Sequence, residues 1–180
     1  MILLVLGGLG GPLRAADFSL YPTVVTMPEA GKITCLLLRA PAGQFRFVPP
    51  AGWQMRVQAA EQQVRFYSPD YGAFIALQFL SSPGRSELLG EPAKEFVLRE
   101  YPRARLLEQF PAYTGCGSGV GFDLQWEETK GFALRARLAL IPLTQGCIRF
   151  TLQANTNSWQ RHLQPFGALL TSFVAAGAGP

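Results

Sequence analysis

A chain of 180 residues with 48% hydrophobic and 12% aromatic side chains is long enough for one domain with a sizeable core, and too apolar to be disordered. Its formal charge of +4, from 16 basic and 12 acidic residues, is spread along the chain. It forms no basic stripe with interleaved aromatics, so no nucleic-acid partner is expected. A single histidine, three cysteines and acids at no metal-ligand spacing predict neither a metal nor a cofactor.

In chain order, Met1-Ile2-Leu3-Leu4-Val5-Leu6 is an apolar run followed by glycines and Ala15-Ala16. Residues 1–16 thus resemble the hydrophobic segment and cleavage end of a signal peptide, which predicts an exported protein, periplasmic or extracellular. The alternative is a buried N-terminal strand or an unstructured leader. The run is too short for a transmembrane helix, which needs about 20 apolar residues. Residues 17–42 read as an N-terminal extension rich in Pro, Thr and Gly, with a strand-length apolar run at Ile33–Leu38.

Gln44–Val48 then reads as a strand, Pro49-Pro50 as a break, and Trp53 as the start of the next strand. Gln54–Gln58 and Val64–Ser68 suit a hairpin around Ala59-Ala60-Glu61. Phe74–Leu80 is apolar at nearly every position, as in a central strand covered on both faces. A helix is predicted over Glu91–Tyr101, between Pro92 near its start and Pro102 past its end. Glu91 and Glu95 lie early and Arg99 late, the favourable sense for the helix dipole. Ala104–Phe110 suits a further strand.

The last third carries the clearest period of two. Val120, Phe122, Leu124 and Trp126 alternate with polar neighbours. So do Phe132, Leu134, Ala136, Leu138 and Leu140, and then Ile148, Phe150, Leu152 and Ala154. Thr129-Lys130-Gly131 and Pro142–Gly146 separate the runs as glycine-containing turns. The pattern predicts an antiparallel meander whose even face is a core. Trp159, Leu163, Phe166, Leu170 and Phe173 then mark one helical stripe. An interior proline breaks a helix, so the regular helix is expected from about Gln164, with Pro165 in its first turn. Residues 175–180 read as a disordered tail. The fold class is α+β, with a single antiparallel β-sheet flanked by helices.

Few residues suggest chemistry. Gly115-Cys116-Gly117-Ser118-Gly119-Val120-Gly121 precedes a strand, so it is neither a dinucleotide fingerprint nor a nucleophile elbow. A bulged or bent strand start explains it. In an exported chain Cys116 and Cys147 are a candidate disulfide. Their opposite parity and a separation of two strand spacings, about 9.6 Å, oppose pairing beyond the roughly 7 Å limit. Only departure of Gly115–Gly119 from the ladder would bring them together. His162 is read as exposed or as a cap. The odd face of the meander gathers Asp123, Arg135, Arg137, Arg149 and Thr151. This is either a solvated face with ion pairs or a docking surface for an acidic partner, since arginine pairs with carboxylates in a fixed fork.

The run Phe45-Arg46-Phe47-Val48-Pro49-Pro50-Ala51-Gly52-Trp53, then an apolar strand, a helix, a meander and a last helix ending Thr171-Ser172-Phe173, resembles the PsbP-like fold over residues 43–174. That fold is shared by the extrinsic photosystem II protein, exported bacterial relatives and a Ran-binding nuclear import factor. The resemblance implies an α/β/α sandwich and a non-catalytic binding or assembly role, and it transfers no partner residue. The reading is therefore an exported, monomeric, non-enzymatic protein that docks on a protein or envelope component. One alternative is a small hydrolase-like enzyme near Cys116, Ser118 or Asp123. Another is a carrier of a lipid or small ligand between sheet and helix.

Overall fold

The structure, a computed structural model, describes residues 18–27, 31–81 and 91–177; the leader lies outside them. The elements are β1 (Ser19–Met27), β2 (Gly31–Ala40), β3 (Gly43–Phe47), β4 (Gln54–Gln58), β5 (Gln63–Tyr67), β6 (Ala73–Leu80), α1 (Glu91–Glu100), β7 (Arg105–Thr114), β8 (Gly117–Thr129), β9 (Phe132–Pro142), β10 (Cys147–Asn155), α2 (Trp159–Ser172) and β11 (Val174–Ala175). Where the pattern predicts one antiparallel sheet, the described residues form two. The smaller has the order β1-β2-β3-β11 and the larger β4-β5-β6-β10-β9-β8-β7.

Pro49-Pro50 is the cause of the division. Two prolines cannot continue a ladder, and the chain turns there through a Trp53 N–H to Pro50 carbonyl bond of 3.3 Å. β3 ends in the small sheet and β4 begins at the edge of the large one. Residues 18–40, read from sequence as an extension, supply the β1–β2 hairpin and put Phe18, Leu36, Leu38 and Ala40 into the core. The tail assignment also changes. Val174 and Ala175 pair with Arg46 and Phe45, and the Ala176 N–H donates to the Gln44 carbonyl at 2.8 Å.

The large sheet has a core on each face. Toward the small sheet and α2, Phe47, Phe66, Phe150, Phe166 and Phe173 are essentially buried. The Phe173 ring lies 5.1 Å from both Phe45 and Phe150. Each such ring contributes roughly 2–3 kcal/mol of burial against the entropy of ordering it. These rings fill the space that a ligand carrier would keep open. Toward α1, Ala93 and Val97 pack on Phe122, Leu124, Leu138 and Cys147. β6 sits inside the large sheet, fully buried on its α2 face and largely covered on the other, in keeping with a run that is apolar except at Gln78.

Turn length decides which side chains share a face. A two-residue turn at Lys130-Gly131 would pair odd with even, but a bulge between Glu127 and Thr129 restores even with even, so Val120 faces Leu140 and Asp123 faces Arg137. The four-residue loop 143–146 has no such correction. There Cys147 faces Pro142 and Arg149 faces Leu140, odd against even. Parity therefore flips between β9 and β10, and the even residues of the meander do not all lie on one face.

Helix α2 also departs from expectation. It begins at Trp159, and Pro165 is interior. Proline there loses only the bond to the Arg161 carbonyl. Burial of Trp159 and His162 on the core stripe holds the turns before it.

Candidate functional site

A charged cluster built into the α2 side of the sheet starts from the bulge described above. By setting the register it places Asp123 of β8 against Arg137 of β9. Asp123 is 2% exposed. Arg137 donates from Nε to Oδ1 and from Nη2 to Oδ2, both at 2.7 Å, a bidentate fork. These bonds hold the Arg137 guanidinium more firmly protonated than usual. Its plane lies 4.8 Å from the centre of the Phe110 ring.

Arg135, two residues earlier, reaches Asp123 only at 3.5 Å. Its guanidinium lies over the Trp159 ring at 4.7 Å, and its buried Nε has no partner among the described residues. One carboxylate thus serves two arginines, and its hydrogen bonds go to Arg137. Arg135 is fixed in place by an indole, positively charged, with donors unused.

Arg149 and Thr151 do not join this group. The flip across loop 143–146 puts them on the α1 side. Arg149 pairs with Glu100 and donates from Nη2 to Gln78 Oε1 at 2.6 Å. Thr151 is buried. Of the five residues gathered from sequence, the structure brings together Asp123, Arg135 and Arg137.

All three cysteines are free. Cys147 sits in the core under α1, whereas Cys116 packs toward the other core, beside the Phe173 carbonyl at 3.8 Å. The sheet stands between them. Burial pushes each thiol up to about 11, so both are protonated and weakly nucleophilic at neutral pH. A groove of about 810 Å³ opens at Cys116 and Ser118, but among the described residues its lining includes no histidine, carboxylate or amine to serve as a base. The glycine run has a packing explanation: a side chain at Gly115, Gly119 or Gly121 would strike Val174, the Leu140 carbonyl or the Phe110 ring.

His162 corrects another expectation. It is 5% exposed, edge-on to Trp53 at 5.6 Å, and accepts a hydrogen bond from Arg161 Nε at 3.2 Å. Arg161 in turn pairs with Asp70. The sequence signal was its spacing of three from Trp159 and four from Phe166, hidden by starting the helix at 164. Burial, then the Arg161 charge, lowers the His162 pKa from its ordinary 6.5, with Asp70 opposing. The unfolded chain therefore binds the proton more readily. The stability contributed by neutral His162 is present above pH 6.5 and is lost as pH falls through the lowered folded value. Urea melts between pH 7.5 and 5 should show a falling stability of up to about 1.4 kcal/mol per pH unit. His162→Gln should flatten that slope, and an unchanged slope would assign it to another group.

Against known proteins, no family model and no curated protein matches this chain. Solved structures do. The cyanobacterial PsbP protein CyanoP from Synechocystis sp. PCC 6803 superposes over 95% of this chain and 99% of its own, with 15% identity and a TM-score of 0.55. This chain has the PsbP-like fold. PA94 of Pseudomonas aeruginosa, a protein of unknown function, covers 80% of this chain and 99% of its own at 17% identity and a TM-score of 0.55. The Ran-binding protein Mog1p of Saccharomyces cerevisiae covers 87% and 96% at 12% identity, with a TM-score of 0.54. Identities this low carry the fold and leave the partner to the individual surface.

Proposed function

We propose that this PsbP-like domain is a non-catalytic binding or assembly protein, exported from the cytoplasm as a monomer, that docks a protein or envelope component bearing a carboxylate at Arg135. The observation that carries the reading is a partly exposed guanidinium stacked on Trp159, beside a carboxylate whose hydrogen bonds already go to Arg137. Such an arginine is oriented before binding, so little side-chain entropy remains to be lost on contact. The sharing of the fold with a Ran-binding protein is compatible with a protein partner. Export rests on the apolar run and Ala15-Ala16 of the leader. The hydrolase-like alternative lacks support at the groove, where burial raises the thiol pKa and no base lines the site among the described residues.

Crosslinking followed by pulldown from the native compartment tests the reading. Wild-type chain should capture a partner reproducibly, and Arg135→Gln should lose it while its melting temperature falls by no more than about 4 °C. Equal capture by the variant would remove Arg135 from the interface. Turnover of ester probes would favour the enzyme.

A further inference from the structure

The α1 side of the large sheet holds a second arrangement that the Arg135 site does not use. Register aligns Arg56 of β4, Arg65 of β5, Ala76 of β6 and Thr151 of β10 in one row. Arg56 and Arg65 stand directly opposite each other. A like-charge pair in that position destabilises a sheet unless something offsets it. Among the described residues neither arginine makes a salt bridge. Arg149, nearby on β10, has Glu100.

Neutral groups hold the pair instead. The Arg56 guanidinium lies 5.5 Å from the centre of the Tyr67 ring, and that of Arg65 lies 5.4 Å from the centre of the Phe74 ring. Arg65 Nε donates to Gln63 Oε1 at 2.6 Å. Both charges are positioned and neither is neutralised, which is the state of an anion site before its anion arrives. The two arginines come from the arms of one hairpin and face each other only in its exact register.

The position of the row narrows the anion. β4 is the outermost strand of the large sheet, and Gln54 to Val57 are exposed. One side of its backbone is therefore a row of peptide groups without a strand beside it among the described residues. On the face opposite Arg56, Met55 and Val57 are 44% and 43% exposed. The edge thus shows charge on one face, apolar groups on the other, and main-chain donors and acceptors between.

Resting on the protein-binding reading but on different residues, we propose that β4 receives an extended acidic segment of a partner protein as an added strand. A carboxylate of that segment falls in the row of Arg56 and Arg65, the carboxylates two residues to either side of it face Gln54 and Gln58, and its intervening apolar side chains cover Met55 and Val57. Strand addition of this kind takes affinity from main-chain hydrogen bonds and specificity from alternate side chains. A nucleic acid or phospholipid headgroup would satisfy the guanidiniums but make no use of the strand edge. Two arginines also fall short of the roughly 6–10 phosphate contacts typical of strong nucleic-acid binding.

The test titrates the full chain into a fluorescein-labelled heptapeptide of alternating glutamate and valine, read by anisotropy at low ionic strength. Saturable binding is expected, weakened at least about tenfold by the double change Arg56→Gln and Arg65→Gln. A matching lysine–valine peptide should bind at least about tenfold more weakly. N-methylation of the valines, which removes main-chain donors without altering the protein, should weaken binding by a similar factor of about ten. Arg135→Gln should leave peptide binding unchanged, so this surface and the Arg135 surface fail separately. No saturable binding, indifference to the two arginines, or indifference to N-methylation would overturn the proposal. Tighter binding of single-stranded RNA or of phosphatidylglycerol vesicles at the same arginines would reassign the pair to phosphate.

Discussion

Replacing Gly119 with alanine is expected to destabilise the domain by about 3 kcal/mol or more. A Cβ at this position would stand 1.9 Å from the Leu140 carbonyl oxygen, 2.9 Å from its carbon and 3.1 Å from the Ile141 Cα. All three atoms belong to the backbone of β9, which is hydrogen-bonded on both sides and cannot rotate away. Either β8 leaves the ladder locally or β9 shifts together with the core residues Leu140 and Ile141. Gly121 is the internal comparison. Its added Cβ would meet the Phe110 ring at 2.2 Å, but Phe110 is partly exposed and its side chain can swing outward. Gly121→Ala should cost about 1–2 kcal/mol, within the ordinary range for overpacking. Urea unfolding followed by tryptophan fluorescence gives both values. Equal small losses at the two positions would mean that the β8–β9 approach is looser than described.

Arg137→Gln is expected to cost about 3 kcal/mol, because it leaves the Asp123 carboxylate buried with both strong hydrogen bonds gone. Arg135 stands 3.5 Å away and can recover part of the lost attraction. For a chain of this size a loss of about 3 kcal/mol lowers the melting temperature by roughly 6–12 °C. Arg135→Gln removes a partly exposed contact and a cation–π interaction, so its loss should stay within about 1 kcal/mol. Adding Asp123→Asn to Arg137→Gln should recover at least about 1 kcal/mol, since the buried charge disappears with its partner. If the double change is as unstable as the sum of the single ones, the buried carboxylate is not what makes Arg137 matter. The stability split separates structure from function within one cluster: Arg137 holds the sheet, and Arg135 remains available to bind.

Much of the fold could be read from alternation and punctuation. The β4–β5 hairpin, the central β6, helix α1 and the three meander strands all carry local signals: period two, period 3.6, and prolines at their ends. Faces were harder, because a face depends on whether a turn holds an even or odd number of unpaired residues. Glu128 does not announce a bulge, and loop 143–146 does not announce that it lacks one. For that reason Asp123, Arg135 and Arg137 share one face, as the alternation implies, while Arg149 and Thr151 lie on the other. The second sheet was missed for a different reason. Pro49-Pro50 marks a break equally well whether the next strand stays in the same sheet or enters another. His162 was misplaced because Pro165 suggested a helix start, and only the burial of Trp159 shows that the helix begins a turn and a half earlier. The Arg56–Arg65 pair had no local signature, since it exists only once β4 and β5 are in register.

The pairing of β11 with β3 bears on the order in which the molecule can be completed. The strand that closes the small sheet on its β3 side lies about 130 residues after the strand it joins. Closing so long a loop is slow compared with forming the hairpins between neighbours in the chain. During synthesis the β1–β2–β3 ribbon and the β4–β5–β6 meander can assemble early. The face of β3 that carries Phe45 and Phe47 can meet Phe79 and Phe66 early, but its cover is complete only when Phe173 arrives. A nascent chain therefore leaves the small sheet incomplete on its β3 side until Val174 and Ala175 have been made.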